Sequence, residues 1–325
     1  MSKTILKNVL KTASAGLLAA MMVIGATACG TKEETPSSPP VIEITEGAET
    51  PAEDTADATE EAPSAEETPA AEEIAQGEAS AEQTFDNVTI KIGASPTPHQ
   101  EILETIVENL KAKGITLEII PYNDYIQPNI ALQEGSLDAN YFQHKPYLDD
   151  FNEENKTDLV SLGAVHYEPM GLYPSKAKSI EELQDKAKIA VPNDPTNEAR
   201  ALNVLAANGI ITLKEGAGVK ATKQDIVENP KNIEIMEIEA AQVPLALPDV
   251  DMAVINSNFA LSAGLDPTKD PIVAEKSNAG YENIVAIRAG DETRPELQAL
   301  MEALLDAKTK TFIQDKYQGA VVAVD

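Results

Sequence analysis

The 325-residue chain has no tryptophan, a single cysteine, three histidines and three arginines. Each scarcity removes a class of protein. Cys29 alone cannot build a disulfide framework, and beyond it there is no thiol for cysteine-based catalysis. Basic residues number 25 against 54 acidic ones, for a net charge of −29. A chain so acidic is a poor partner for nucleic acid or anionic lipid. No G-x-S-x-G elbow, Walker loop or nucleotide-binding glycine fingerprint is present, and "GAG" at 216–218 is a weak signal in a loop. No internal repeat is visible.

What is there divides into three materials. Residues 1–28 read as an export signal: Lys3, Lys7 and Lys11 precede an apolar run from Ala13 to Ile24, broken only by Ser14 and Gly16. That run is too short to span a bilayer comfortably. Small residues follow, ending at Cys29, and "ATACG" resembles a bacterial lipobox, with Ala26 where leucine is usual. Cys29 is therefore expected to carry acyl chains such as palmitate, each buried carbon contributing roughly 0.8 kcal/mol of membrane affinity. Residues 29–85 form the second material, the lipidated cysteine and an acidic disordered tether. Between 30 and 84 there are 16 acids against Lys32, and no aromatic residue. Such a segment cannot bury enough apolar surface to offset its ordering entropy. With three lysines in the signal and −15 in the tether, the remainder carries −17.

The third material, from about Phe85, is globular. "VTIKIG" (88–93) alternates as a strand does, and Pro98 opens a helix with Ile102, Leu103, Ile106, Val107 and Leu110 on one face, stopped near Gly114. Strands are expected at 116–122, 139–142, 158–167 and 170–174, with a helix near 128–134. A second run has strands at 188–193, 233–239, 251–258 and 281–290. Its helix at 194–209 has Asp194 as cap, Pro195 in its first position and Gly209 at its end. A long helix from Thr293 toward Lys308 closes the chain. Strands alternating with helices predict a mostly parallel α/β sheet, in two lobes with a break near 174–179.

Ligands in such sheets sit beyond the carboxyl ends of strands. The polar and aromatic clusters "ASPTPH", "YNDY", "FQHKPY", "PNDPTNEAR" and "NSNF" all fall at those ends. The planar guanidinium of Arg200, in the second turn of a helix, suits a carboxylate; a surface salt bridge with Glu198 or a neighbour is the alternative. Tyr125, Phe142, His144 and Tyr147 offer apolar walls with polar tips, or ordinary packing. Asn256, Asn258 and Asn283 offer both donors and acceptors, or turn formation. His99, His144 and His166 raise a metal site, although none has zincin or finger spacing.

"FQHKPYL", "VPNDPTNEAR", "VENPKN" and "AVINSNFA", in this order, resemble the NlpA lipoprotein family, the methionine-binding lipoproteins of methionine ABC importers. "KIGASPTPHQEIL" is similar to that family's first strand and helix. The resemblance covers about 86–325. It implies an α/β, two-lobed periplasmic-binding-protein fold with two crossovers and a ligand cleft between lobes. Lobe 1 would take 86–172 plus 273–325, and lobe 2 would take 173–272. It implies L-methionine as ligand, with Arg200 clasping the carboxylate and Asn256 and Asn283 bonding the polar end. Asn197 takes a further polar position. Tyr125, Phe142, His144 and Tyr147 enclose the side chain, while Phe259 lacks a hydroxyl common in relatives.

The expected protein is thus a lipid-anchored, extracytoplasmic receptor on the cell membrane. It is a monomer that docks on an ABC importer permease, without cofactor, bound metal, nucleic-acid partner or enzymatic activity. A methionine-containing dipeptide is the alternative ligand. A metal-binding lipoprotein, a secreted hydrolase with paired carboxylates and a tethered scaffold are the rival classes.

Overall fold

The computed structural model describes residues 84–276 and 280–324, all within one compact unit, Gln76–Asp325. The expected signal, Cys29 and the acidic tether up to residue 83 lie outside the described residues. No helix among the described residues is long and apolar enough to cross a membrane.

Thirteen strands are described. They are β1 (Val88–Ala94), β2 (Ile115–Pro121), β3 (Ala139–His144), β4 (Leu159–Tyr167), β5 (Gly171–Pro174), β6 (Lys188–Pro192), β7 (Thr212–Leu213), β8 (Ile226–Glu228), β9 (Glu234–Ile238), β10 (Met252–Ile255), β11 (Val273–Ala274), β12 (Glu282–Arg288) and β13 (Val322–Ala323). One six-stranded sheet runs β13-β4-β12-β3-β1-β2, and one five-stranded sheet runs β11-β5-β10-β6-β9. β7 and β8 form a separate hairpin.

The sheets are mixed, which corrects the expectation of a mostly parallel one. β1 pairs in parallel with β2 and β3, and β6 with β9 and β10. β12, however, runs antiparallel to both β3 and β4, and β5 antiparallel to β10 and β11. The reason is connectivity. β12 returns to the first sheet from the second, entering between β3 and β4 with no helical crossover to set its direction. β5 and β11 sit next to each other in the second sheet, at the two places where the chain passes between sheets.

Alternation along β12 shows how the first sheet is covered on both faces. Val285 and Ile287 join one apolar cluster with Ile90, Ile92, Leu103, Tyr141 and Leu300. Ile284 and Ala286 join another with Leu132, Phe142, Leu148 and Phe151. Successive strand residues point to opposite faces, so one strand feeds two cores. The second sheet is likewise flanked by two clusters.

Several element boundaries differ from expectation, each for a local reason. The helix expected from Pro98 is broken into Pro96–Gln100, Glu101–Glu104 and Val107–Ala112, yet Ile102, Leu103, Ile106 and Leu110 are buried as the spacing requires. Gly114 follows at φ +85°, where a Cβ would stand 2.1 Å from the Phe85 carbonyl oxygen, so only glycine fits. The strand expected over 251–258 stops at Ile255, and Ser257–Ser262 is helical. The long C-terminal helix is two, Pro295–Leu304 and Ala307–Tyr317. Asp306 separates them by accepting a hydrogen bond from the Lys308 backbone amide, a local bond that favours a cap over a helix interior. Thr293 is no cap; Arg294 holds that place. An unexpected helix, Lys145–Asn155, follows β3. Its stripe is only Tyr147, Leu148 and Phe151, too narrow to stand out among its acidic neighbours.

Candidate functional site

The ends of β3, β4, β10 and β12 and the helix Pro195–Ala207 converge on a small cavity of about 20 Å³. That is room for little more than a water-sized molecule, so a larger ligand requires the walls to move apart. Its walls include all eight residues expected from the sequence: Tyr125, Phe142, His144, Tyr147, Asn197, Arg200, Asn256 and Asn283. Gln143, Glu168, Ser257 and Asn258 complete the lining.

One side is a cage of rings. Tyr125 lies 5.7 Å from Phe142, 5.7 Å from Tyr147 and 4.8 Å from Phe259, centroid to centroid. Phe142 and His144 share a face of β3 because they are two residues apart. Tyr147 follows in the first turn of the next helix, where its hydroxyl donates to the Tyr125 carbonyl at 3.1 Å. The rings are thus fixed by strand period, helix start and hydrogen bond together.

His144 has two tasks. Its Nδ1 accepts the Tyr147 backbone amide at 3.2 Å, capping helix Lys145–Asn155, which Pro146 helps to start. Nε2 must then carry the proton, and it donates to Asn197 Oδ1 at 3.1 Å. Burial pushes the imidazole pKa down to about 3, with the Arg200 charge adding to the effect, so it stays neutral. The polar residues before it are also accounted for. Asn140 and Gln143 bond to each other and to Asn129 in a buried network.

The other side is polar and its amides are aligned in series. Asp194 caps helix Pro195–Ala207 and takes Asn197 Nδ2 at 2.9 Å. Asn197 Oδ1 therefore faces outward and accepts Asn256 Nδ2 at 2.8 Å as well as His144. Asn256 Oδ1 is left buried with no partner. Tyr125 Oη donates to Asn258 Oδ1 at 2.7 Å, which leaves Asn258 Nδ2 buried and unpartnered. An orphaned acceptor and an orphaned donor on one cavity wall each forfeit about 1–3 kcal/mol unless a ligand satisfies them.

Arg200 is 3% exposed, so it is no surface residue, and its partner is not Glu198. Nε donates to both oxygens of Glu275 at 3.0 Å, and Nη2 donates to Glu275 and, at 2.7 Å, to the Glu168 carbonyl. The Tyr281 ring lies 4.6 Å from the guanidinium carbon. Burial opposes the charge, but Glu275 more than offsets this and holds the pKa above the usual arginine value.

Sequence reasoning missed Glu168, which is 5% exposed. The signal was the spacing His166-x-Glu168 where the chain leaves β4, just before it passes to the second sheet. His166 Nε2 lies 2.8 Å from Glu168 Oε1, so it donates, and His166 Nδ1 accepts from the Tyr141 hydroxyl. His99 Nε2 donates to Asn283 Oδ1 at 3.0 Å and lies 3.4 Å from Glu168 Oε1. Register explains the meeting: Asn283 of β12 is opposite His144 of β3 on one side and His166 of β4 on the other. Burial drives the His99 and His166 pKa values to about 4 and about 3, and raises that of Glu168.

The ligand atoms of His99, His166 and Glu168 lie within 4.8 Å of one another, the arrangement that a divalent cation needs. His144 is not in this group. The 2.8 Å contact decides how the cluster is held together: ligands on a tetrahedral zinc with bonds of 2.0–2.1 Å stand roughly 3.3 Å apart. The geometry is that of hydrogen bonds.

Comparison with known proteins gives a consistent picture. The NlpA lipoprotein family model matches residues 90–324. Membrane lipoprotein TpN32 of Treponema pallidum is 36% identical over 247 residues, 76% of this chain and 92% of that protein. The D-methionine-binding lipoprotein MetQ of Salmonella typhimurium is 42% identical over 236 residues, 72% of this chain and 87% of that protein. Among solved structures, a nutrient binding protein from Burkholderia cenocepacia bound to methionine superimposes with a TM-score of 0.69 at 44% identity, covering 73% of this chain and all of that one.

Proposed function

Because the chain belongs to the NlpA lipoprotein family, we propose that it is an extracytoplasmic substrate-binding lipoprotein that captures L-methionine and passes it to an ABC importer. The observation that carries this reading is the two-sided cavity: a ring cage facing a charged and amide-lined wall that holds an unpaired acceptor and an unpaired donor. A flexible thioether suits the cage, because aromatic edges contact sulfur favourably by about 0.3–1.5 kcal/mol and burial adds roughly 1.5–3 kcal/mol. That sum falls short of the about −8.2 kcal/mol of micromolar binding, so the zwitterionic end must supply the rest. Arg200 takes the carboxylate. Its Nε and Nη2 serve Glu275 and the Glu168 carbonyl, the Tyr167 hydroxyl also bonds the guanidinium, and the donor capacity left on the fork serves the ligand. Asn258 Nδ2 adds a donor to the carboxylate, while Asn197, Asn256 and Asn283 order the polar wall.

The lobes divide where the chain passes between sheets. The expected boundaries are 86–172 plus 273–325 and 173–272; β5 and β11 pair with the second sheet, which moves the passages to about Pro169 and Glu275. The role is capture rather than catalysis. Ser257, the one serine of the cavity lining, donates to the Pro169 carbonyl and not to a base. Cys29 carries the lipid anchor and residues 30–84 the spacer, and the lobes work as a monomer on the permease.

Mass spectrometry of small molecules released from the purified protein tests the ligand directly. Methionine at near one equivalent is expected. A released methionine dipeptide would replace the free amino acid as ligand, and titration with D- and L-methionine sets the stereochemistry. Stoichiometric metal surviving a chelator would instead favour a cation at His99, His166 and Glu168. The Cys29→Ser variant should leave the membrane fraction; its retention there would sink the anchor assignment.

A further inference from the structure

We propose that Glu168 is the specificity-determining residue that requires a free ammonium group on the ligand, and that His166 is a positioning residue that aims its carboxylate. This deepens the methionine reading and rests on it.

Glu168 is a buried carboxylate in the cavity wall. Among the described residues, its ion-pair contacts are only the two imidazoles, and both are neutral at physiological pH. Arg200 does not bond its carboxylate: the guanidinium reaches the Glu168 backbone carbonyl and pairs with Glu275, and acts on the Glu168 carboxylate only through its nearby charge. A buried carboxylate with no cation bonded to it is costly, and burial raises the Glu168 pKa even though the nearby Arg200 charge works against this. An α-ammonium in the cavity supplies the missing cation.

The neighbourhood supports this placement. The Ser257 hydroxyl bonds to the Pro169 carbonyl, so the Asn256–Asn258 stretch lies against the chain at Glu168. The Asn258 backbone amide also favours the ionised carboxylate. Asn256 Oδ1, buried and unpartnered, lines the same cavity. Two acceptors, one of them charged, suit the three donors of an ammonium, whereas a hydroxyl or hydrogen at that carbon leaves them unsatisfied.

The positioning is specific. His166 holds Glu168 Oε1 through Nε2 and is itself held by the Tyr141 hydroxyl through Nδ1. His99 Nε2 approaches the same oxygen while bonded to Asn283. A neutral donor, His166, orients the carboxylate without cancelling its charge, which a lysine or arginine there would do.

Titration calorimetry with L-methionine and with 4-(methylthio)butanoate, which lacks the amino group, tests the proposal. The unaltered protein should bind the analogue about a hundredfold more weakly. Glu168→Gln should weaken methionine about a hundredfold and the analogue little, bringing the two affinities close together. His166→Leu should lower the methionine-to-analogue ratio about tenfold, and His166→Gln, whose amide can donate where Nε2 does, should keep it. Equal losses for both ligands in Glu168→Gln, or unchanged methionine affinity, would overturn the assignment. Equal binding of the two ligands by the unaltered protein would overturn it without any variant, so failure of Glu168→Gln to fold does not protect it. If the unaltered protein bound neither ligand, the methionine reading itself would fall.

Discussion

Arg200 and Glu275, 75 positions apart, meet in a two-pronged ion pair behind the cavity, with both Nε distances at 3.0 Å. Glu275 follows β11, at the second passage between sheets, and also accepts the Tyr167 hydroxyl and the Met170 amide. The arginine expected to serve the ligand therefore also ties helix Pro195–Ala207 to the segment on which the lobes join.

That double duty separates stability from binding. Arg200→Ala removes the ligand's cation but also strands Glu275, and breaking a buried pair on one side costs about 3–5 kcal/mol. The double variant Arg200→Met, Glu275→Gln should regain most of that stability and still fail to bind methionine. Urea denaturation and calorimetry on both proteins check this. Methionine binding restored in the double variant would remove Arg200 from the site.

The three histidines make stability fall with acid. Burial holds His99 at about 4 and His144 and His166 at about 3, against about 6.5 unfolded. Between pH 6.5 and about 4 the unfolded chain binds up to three protons that the folded one refuses. Folding free energy should then drop by roughly 1.4 kcal/mol per pH unit for each histidine as pH falls through that window. The raised pKa of Glu168 acts in the opposite direction over its own range. Following each ring by NMR from pH 7.5 to 4.5 separates the histidines from that opposing contribution, and a ring titrating near 6.5 would contradict its burial.

How far the sequence disclosed this site depends on which signal each residue carried. Phe142, His144 and Tyr147 were legible because rings among polar neighbours at a strand end are out of place in both a core and a plain loop. Asp194, Pro195 and Gly209 punctuated a helix, and so placed Arg200 at the cavity. Glu275 was not legible: nothing in "IVAEKS" (272–277) distinguishes a buried glutamate from the many solvated ones. Glu168 needed β4, β12 and the Pro96–Gln100 segment to be brought together before His99 and His166 could converge on it, and no local pattern encodes that. The antiparallel place of β12 was hidden for the same reason, since strand direction is set by where the chain returns from rather than by the strand's own residues.

His144 lets two roles be pulled apart. His144→Phe keeps a ring in the cage but loses the cap on Tyr147 N and the bond to Asn197 Oδ1. It should lose about 1 kcal/mol of stability through the cap and weaken methionine about tenfold. His144→Asn can cap as well as histidine but cannot reach Asn197, so it should keep the melting temperature near that of the unaltered protein and still bind weakly. Thermal melts and calorimetry run together decide it; full affinity in the asparagine variant would make the Asn197 contact irrelevant to the ligand.

Tyr125 spans both sides of the cavity, with its ring in the cage and its hydroxyl on Asn258 Oδ1 at 2.7 Å. Tyr125→Phe leaves the stacking with Phe142, Tyr147 and Phe259 but frees the Asn258 amide, whose Nδ2 already lacks a partner. The amide then turns readily, and its donor is no longer directed at the ligand. Affinity should fall about tenfold for methionine and for norleucine alike, because the polar end is common to both. Tyr125→Ala opens the cage itself and should cost far more with methionine, whose sulfur loses its aromatic contacts, than with alanine as ligand. Competition binding with the three amino acids measures both ratios. A Tyr125→Phe variant that discriminated against methionine but not norleucine would show the hydroxyl, rather than the ring, to be the group that senses sulfur.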